Sequence, residues 1–228
     1  MPKALESITE LAPKLWFCTI HRVETDAHTA IRLLTDPEKQ FFAHDRVAAR
    51  RDLRILARAT LRKWLGSLLD KPALEVPLQT SPTGRPVLSL PAAPWTFSTS
   101  TRGDIALLAM ASADWGEIGI DIEKAKPDVD IALLTAPAFT SAELARLGVE
   151  SFTQRETLAL RLWVRKEAVA KALGLGAAAF DAGLDLSTLD WAESPEWQEF
   201  TTLGHRCRLR DLPPLNGYVA ALALADTK

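Results

Sequence analysis

Cysteine is scarce in this chain, with Cys18 and Cys207 the only two in 228 residues. One bridge between them is possible, but two thiols in a chain of this size fit a reducing compartment better. Long apolar runs are missing as well. The longest lies around "DIALLAMA", far short of the roughly 20 residues of a membrane-spanning helix, so no membrane contact is expected. The N-terminal stretch "MPKALESITELAPKLWF" has no apolar central segment, so no signal peptide is expected and the cytoplasm is the expected location. Neither charge sign dominates. The formal net charge is −2, which implies no general affinity for nucleic acid. The chain shows no short repeat and no low-complexity tract. It also lacks the Gly-Lys-Ser/Thr loop of Walker-type nucleotide hydrolases.

What is present is ordinary globular material, 47% hydrophobic and 25% charged, long enough for one large domain or two small ones. "KLWFCTIHRV" (14–23) reads as a strand from its aromatic and β-branched content. "DPEKQ" opens a helix, with Asp36 as N-cap and Pro37 at the first helical position. An Arg-rich helix runs on to about Leu69, its apolar residues Leu53, Leu56, Leu61, Leu65 and Leu68 recurring at helical spacing. A turn and short strand follow at 80–90, then two strands joined by a small-residue turn, a tight turn at 112–117, and the strand of "GEIGIDIEKAK". After a Pro-interrupted loop come a short helix from Ser141, a long helix over roughly 153–173 stopping at Gly174, and antiparallel strands to the end. Strands joined by tight turns predict an α+β fold of two halves, 1–113 and 114–228, with a cleft between them as the default ligand site.

The strand "GIDIE" poses a chemical question. Alternate side chains share a face, so Asp121 and Glu123 lie on the side of Gly119, opposite Ile118, Ile120 and Ile122. Two carboxylates roughly 6.6 Å apart along a strand suit one Mg²⁺, which commonly takes one or two carboxylates plus phosphate oxygens and water. A solvated polar face would show the same pattern. On the long helix Trp163, Glu167 and Lys171 share a face, and Trp163 argues against a plain surface Glu–Lys pair. "FSTSTRG" (97–103) gathers hydroxyls, an Arg and a Gly that could cradle an anion or simply bond to one another locally. Arg85 in "TGRP" is a phosphate fork or a solvated loop residue. Arg50, Arg54 and Arg58 form a stripe that is either an anion site or a solvated helix face.

Taken in order, "GRP", the hydroxyl turn with "GDIALLA", "IGIDIE", "FTSAEL", "LWVRKEAVAKALGLG" and "LNGYVAALA" resemble the 4′-phosphopantetheinyl transferases, in particular the large two-lobed surfactin-synthetase-activating type. The resemblance runs from about residue 33 to the C-terminus. It implies a pseudo-dimer of two similar α+β lobes, each with a mainly antiparallel sheet and a long helix, and an active site with coenzyme A and Mg²⁺ in the cleft between lobes. By position it makes Asp121, Glu123 and Glu167 the Mg²⁺ ligands and sets Lys171 against the diphosphate. Asp121, Arg54, Arg58, Arg85, Ser100 and Thr101 join Lys171 as coenzyme A contacts. The family's N-x-S-H turn reads here Ser98-Thr99-Ser100-Thr101, without the Asn and the His. A one-residue shift of that alignment is also open, and Arg102 is the alternative donor. Ile55 stands where adenine is often contacted.

The activity so implied is Mg²⁺-dependent transfer of 4′-phosphopantetheine from coenzyme A to a serine of an apo acyl or peptidyl carrier protein. Glu167 would serve as base and Lys171 would stabilise the leaving phosphate, in a monomer. Two rivals from other classes are a non-catalytic anion-binding module and a different Mg²⁺-dependent nucleotide hydrolase. The presence of all three acids disfavours the first, and the missing Walker loop the second.

Overall fold

The computed structural model describes residues 5–22, 24–80, 85–90, 93–126 and 135–226. The chain divides into two compact units, Met1–Ala113 and Asp114–Lys228. Both are built from antiparallel sheets and helices, as α+β patterning predicts. Among the described residues no helix is long and apolar enough to cross a membrane.

The first unit contains a four-stranded sheet in the order β1-β2-β6-β5, formed by β1 (Leu5–Ala12), β2 (Leu15–His21), β5 (Trp95–Arg102) and β6 (Ile105–Ser112). A small pair, β3 (Leu78–Thr80) and β4 (Pro86–Leu88), stands apart from it. The turn expected before β4 lies at 81–84, outside the described residues. Helices α1 (Glu24–Ala30) and α2 (Asp36–Ala43) precede the long α3 (Ala48–Leu69). Leu53, Leu56, Leu61 and Leu65 of α3 pack with Cys18, Ile20, Phe97, Leu108 and Met110 of the sheet, the outcome of an apolar stripe at helical spacing. Leu68 packs at the edge of this core and is only partly buried.

The second unit orders its sheet β7-β10-β9-β8, from β7 (Glu117–Lys124), β8 (Gln198–Thr202), β9 (His205–Asp211) and β10 (Tyr218–Ala225). Its helices are α4 (Ser141–Gly148), α5 (Phe152–Ala172) and the single turn α6 (Ala178–Asp181). The Pro-interrupted loop at 127–134 lies outside the described residues. Gly174, at φ +69, ends α5 in the left-handed region that glycine enters without strain. Leu160, Val164, Ala168 and Ala172 of α5 share a core with Leu209, Ala221 and Ala223 of the sheet. Arg165, also on α5, is buried in a two-pronged ion pair with Asp211 at 2.7 and 2.9 Å, and its other donors reach the carbonyls of Asp190 and Ala192.

Three local readings change. The N-cap of α2 is Thr35, not Asp36. Thr35 is extended and closes a capping box with Glu38, its N–H lying 2.9 Å from Glu38 Oε2, whereas Asp36 bonds Lys39 at the surface. Residues Ser98 to Thr101 are not a turn. They continue β5 in register against β6, from Ser98↔Ala109 to Thr101↔Ala106, and the turn comes only at Gly103. Strand β1 and the helices α1 and α6 were not read from the sequence, because none carries a long periodic signal.

Candidate active site

Strand β7 and helix α5 build the site in the second unit. They come unusually close because residue 119 is glycine. A Cβ there would lie 1.9 Å from the Ala168 carbonyl oxygen and 2.5 Å from the Ala172 nitrogen. The face of β7 that carries Gly119 and Asp121 is therefore laid against α5 rather than solvated, which removes the plain amphipathic reading of "GIDIE". Asp121 is buried, at 5% exposure, and its Oδ1 accepts a 2.6 Å bond from Lys171 Nζ. Lys171 also donates to the carbonyl of Ile120 at 3.2 Å. Glu123, two residues on, is half-buried.

Glu167 is half-buried on the same stretch of α5. Burial pushes its carboxyl above the usual 4.5, Asp121 and Glu123 repel it further, and Lys171 pulls the other way. Asp121 and Lys171 thus meet directly, and Glu167 lies near enough on the facing elements to feel the charges of Asp121, Lys171 and Glu123. Trp163 packs on Phe180 at 5.5 Å and joins the core beside them.

The candidates of the first unit are placed differently. Arg58 donates to Glu38 Oε1 at 2.6 Å and has an 11% exposed side chain, so it is closed into an internal ion pair. Arg62, one turn on and fully buried, bonds the other oxygen of Glu38 at 2.7 Å. Arg54 bonds Asp45 at 3.2 Å and lies over the rings of Phe41 and Phe42, yet keeps 36% of its side chain exposed. Arg50 holds Asp45 at 2.7 Å. Asp45 is kept well below the usual carboxylate range, chiefly by the Arg50 hydrogen bonds and against the effect of burial. Each arginine of the stripe is therefore paired with Asp45 or Glu38 rather than standing bare, and the two carboxylates offset only part of the positive charge. Arg85 donates to the Phe97 carbonyl of β5 at 2.9 Å. Ser100 and Thr101 are neighbours in a regular strand and so point to opposite faces, which divides the hydroxyl cradle expected at 97–103.

The sequence reading missed Glu143 and Lys166, both fully buried and paired at 2.6 Å. Their signal was present in "FTSAEL", a Thr-x-x-Glu capping box, and in the Lys of "RKEA". The fit of a metal rests on the carboxylates. Among the described residues no group of three or more His, Cys, Asp and Glu is gathered in metal-holding array. Mg²⁺ needs only one or two protein carboxylates when phosphate and water complete its shell, and the hard oxygen donors of β7 and α5 fit that demand.

The segment holding this cluster is also the one that matches known proteins. Residues 117–223, from the start of β7 into β10, match the model of the 4′-phosphopantetheinyl transferase superfamily. The 4′-phosphopantetheinyl transferase AcpT of Salmonella typhimurium is 35% identical over 91 residues, covering 40% of this chain and 46% of that protein. AcpT of Escherichia coli K12 is 36% identical over 92 residues, 40% of this chain and 45% of its own length. The chain thus spans less than half the length of these relatives. A putative 4′-phosphopantetheinyl transferase of Synechocystis, slr0495, is 26% identical over 166 residues, 72% of this chain and 65% of that protein. An alignment that long cannot fit within residues 114–228 and must reach into the first unit. The family match opens on the acid-bearing strand and includes the helix laid against it, so in its second unit, over somewhat less than half its length, the chain is similar to the 4′-phosphopantetheinyl transferase superfamily.

Proposed function

We propose that this chain transfers 4′-phosphopantetheine from coenzyme A to a serine of an apo acyl or peptidyl carrier protein, releasing adenosine 3′,5′-bisphosphate. The observation that carries the reading is the convergence of Asp121, Glu123, Glu167 and Lys171 on one strand–helix contact inside the family-matched segment. The names of the relatives point the same way.

Transfer of a phosphoryl-type group needs positioning and charge neutralisation more than covalent help. Asp121 and Glu123, with Glu167, would hold Mg²⁺, which when bound neutralises diphosphate charge. Glu167, the acid that α5 brings to this contact, would be the group that accepts the proton of the carrier serine. Lys171, fixed by Asp121 and the Ile120 carbonyl, offers an ammonium to the leaving phosphate. Of the two helix candidates in the first unit, Arg54 keeps the more exposed side chain and is better suited than Arg58 to meet an anion. A monomer acting in the cytoplasm belongs to the same proposal, and the free thiols of Cys18 and Cys207 fit that compartment.

The test is intact-mass analysis of purified apo carrier proteins of both kinds, incubated with this protein, coenzyme A and Mg²⁺. The expected result is a gain of one phosphopantetheine unit that disappears when the metal is chelated. Unchanged mass across several carriers, with no coenzyme A binding by calorimetry, overturns the reading.

A further inference from the structure

Glu143 and Lys166 take no part in the chemistry above, yet they form the most completely buried charge pair described in the chain, each side chain at 0% exposure. Glu143 closes the capping box of α4, accepting from the Thr140 N–H at 2.8 Å, and it also accepts from the Leu186 N–H at 2.8 Å. Lys166 Nζ bonds Glu143 at 2.6 Å and the Leu184 carbonyl at 2.5 Å, with the Phe139 ring 5.8 Å away. One pair of side chains therefore ties three segments together: the start of α4, the middle of α5 and residues 184–186. "FTSAEL" supplies Phe139, Thr140 and Glu143 of this knot, and "RKEA" supplies Lys166 next to Glu167.

On α5, Lys166 lies about 100° round the helix from Glu167 and on the opposite side from Ala168 and Ala172, which meet Gly119. The knot and the glycine contact grip α5 from two sides and so determine its rotation. Turning the helix by about 20° would move a side-chain tip at a radius of about 5 Å by about 2 Å. A misplacement of 1 Å at a reacting group can cost about 10²-fold in rate.

We propose that Glu143 and Lys166 are positioning residues, a buried pin that sets the rotation of α5 and thereby aims Glu167 and Lys171 at Asp121. The inference rests on the transferase reading of the site. A burial argument alone does not require an ion pair here, because apolar side chains of similar volume often replace such pairs without loss of stability. A buried charge pair that general principle does not require for stability, yet that ties the site helix α5 to two other segments, points to geometry.

The variants are Lys166→Met, Glu143→Gln and the two combined, in the full-length chain. Lys166→Met alone leaves a buried carboxylate unpaired and should melt far below wild type. The combined variant removes both charges and should regain most of the melting temperature. Its kcat should nevertheless stay down by about 10²-fold, with KM for coenzyme A within about twofold of wild type. Mn²⁺ binding in the presence of coenzyme A, followed by electron paramagnetic resonance, should weaken about tenfold or more. A combined variant that recovers both stability and wild-type kcat and Mn²⁺ affinity overturns the proposal, because the pair would then be structural only. Should the combined variant not fold, Glu143→Gln alone decides by the same readouts, since it keeps the shape and loses the charge. Wild-type protein that neither modifies a carrier nor binds Mn²⁺ sinks the transferase reading and this inference with it. Wild-type protein that does both, beside an indistinguishable variant, sinks the inference alone.

Discussion

The two units solve one problem in the same way and then diverge. Each sets a Thr-x-x-Glu capping box ahead of its long helix, Thr35 with Glu38 and Thr140 with Glu143. Each then returns a cation from that helix to the box glutamate, Arg58 and Arg62 of α3 to Glu38, and Lys166 of α5 to Glu143. They differ in the strand the helix covers. In the first unit β2 offers Cys18 and Ile20, which become core. In the second, β7 offers Gly119 and Asp121, and the helix comes close enough to bring a lysine onto a buried carboxylate. A scaffold that packs an apolar strand becomes a charged site when a missing side chain allows close approach and an acid is the next residue on that face.

The sharpest way to break this comparison is to remove the acids. Asp121→Ala and Glu167→Ala should each lower carrier modification by about 10²-fold or more while circular dichroism keeps its wild-type shape. Unaltered rates in both would return β7 to an ordinary structural strand. Next in size is the close contact itself. Gly119→Ala drives a methyl group into backbone of α5 and should cost about 3 kcal/mol or more in urea unfolding. Cys18→Ala in the first unit should cost only about 1 kcal/mol, because it deletes a single buried atom and forces no backbone apart. Equal costs would show that the glycine is incidental.

The arginine stripe carries a graded prediction. Arg62→Ala removes a fully buried cation and one of the two guanidinium partners of Glu38, leaving Arg58 and the Thr35 N–H, and should destabilise by about 2–3 kcal/mol, whereas Arg50→Ala, 60% exposed, should change stability by no more than about 1 kcal/mol. Denaturant titration of both variants checks it. The smallest effect concerns acid. Burial raises the Glu38 carboxyl, but bonds from Arg62, the Thr35 N–H and Arg58 together outweigh burial and hold it below its ordinary 4.5. A carboxyl depressed in the folded state stabilises above its unfolded value, and that contribution fades as pH falls from about 4.5 through the depressed value. Urea midpoints measured downward from about pH 6 should fall through this window, and Glu38→Gln should flatten the fall. A variant with the wild-type acid slope would show that Glu38 is not the linked group.

Much of this was legible in the chain. The stripe Leu53, Leu56, Leu61 and Leu65 announced α3, and the alternation of Ile118, Ile120 and Ile122 with Gly119, Asp121 and Glu123 announced a two-faced strand, because periodicity is written one residue at a time. Cap identity slipped by one residue, since Thr35 and Asp36 are both good caps and only the position of Glu38 decides between them. The hydroxyls at 98–101 read as a turn because small polar residues favour turns, whereas pairing with β6 holds them in a strand.

What the sequence determined by itself was the set of groups and their order: two acids two residues apart on a strand, and a Glu and a Lys one turn apart on a helix. Those are local relations, and backbone geometry converts spacing into direction. What only the tertiary structure decided was which of these groups meet. Asp121 and Lys171 are 50 residues apart in the chain, and Glu143 and Lys166 are 23 apart. Their contacts exist because a helix packs on a strand at a glycine and a buried cation is taken up by the carboxylate that caps the helix before it, and burial makes each of those pairings stringent.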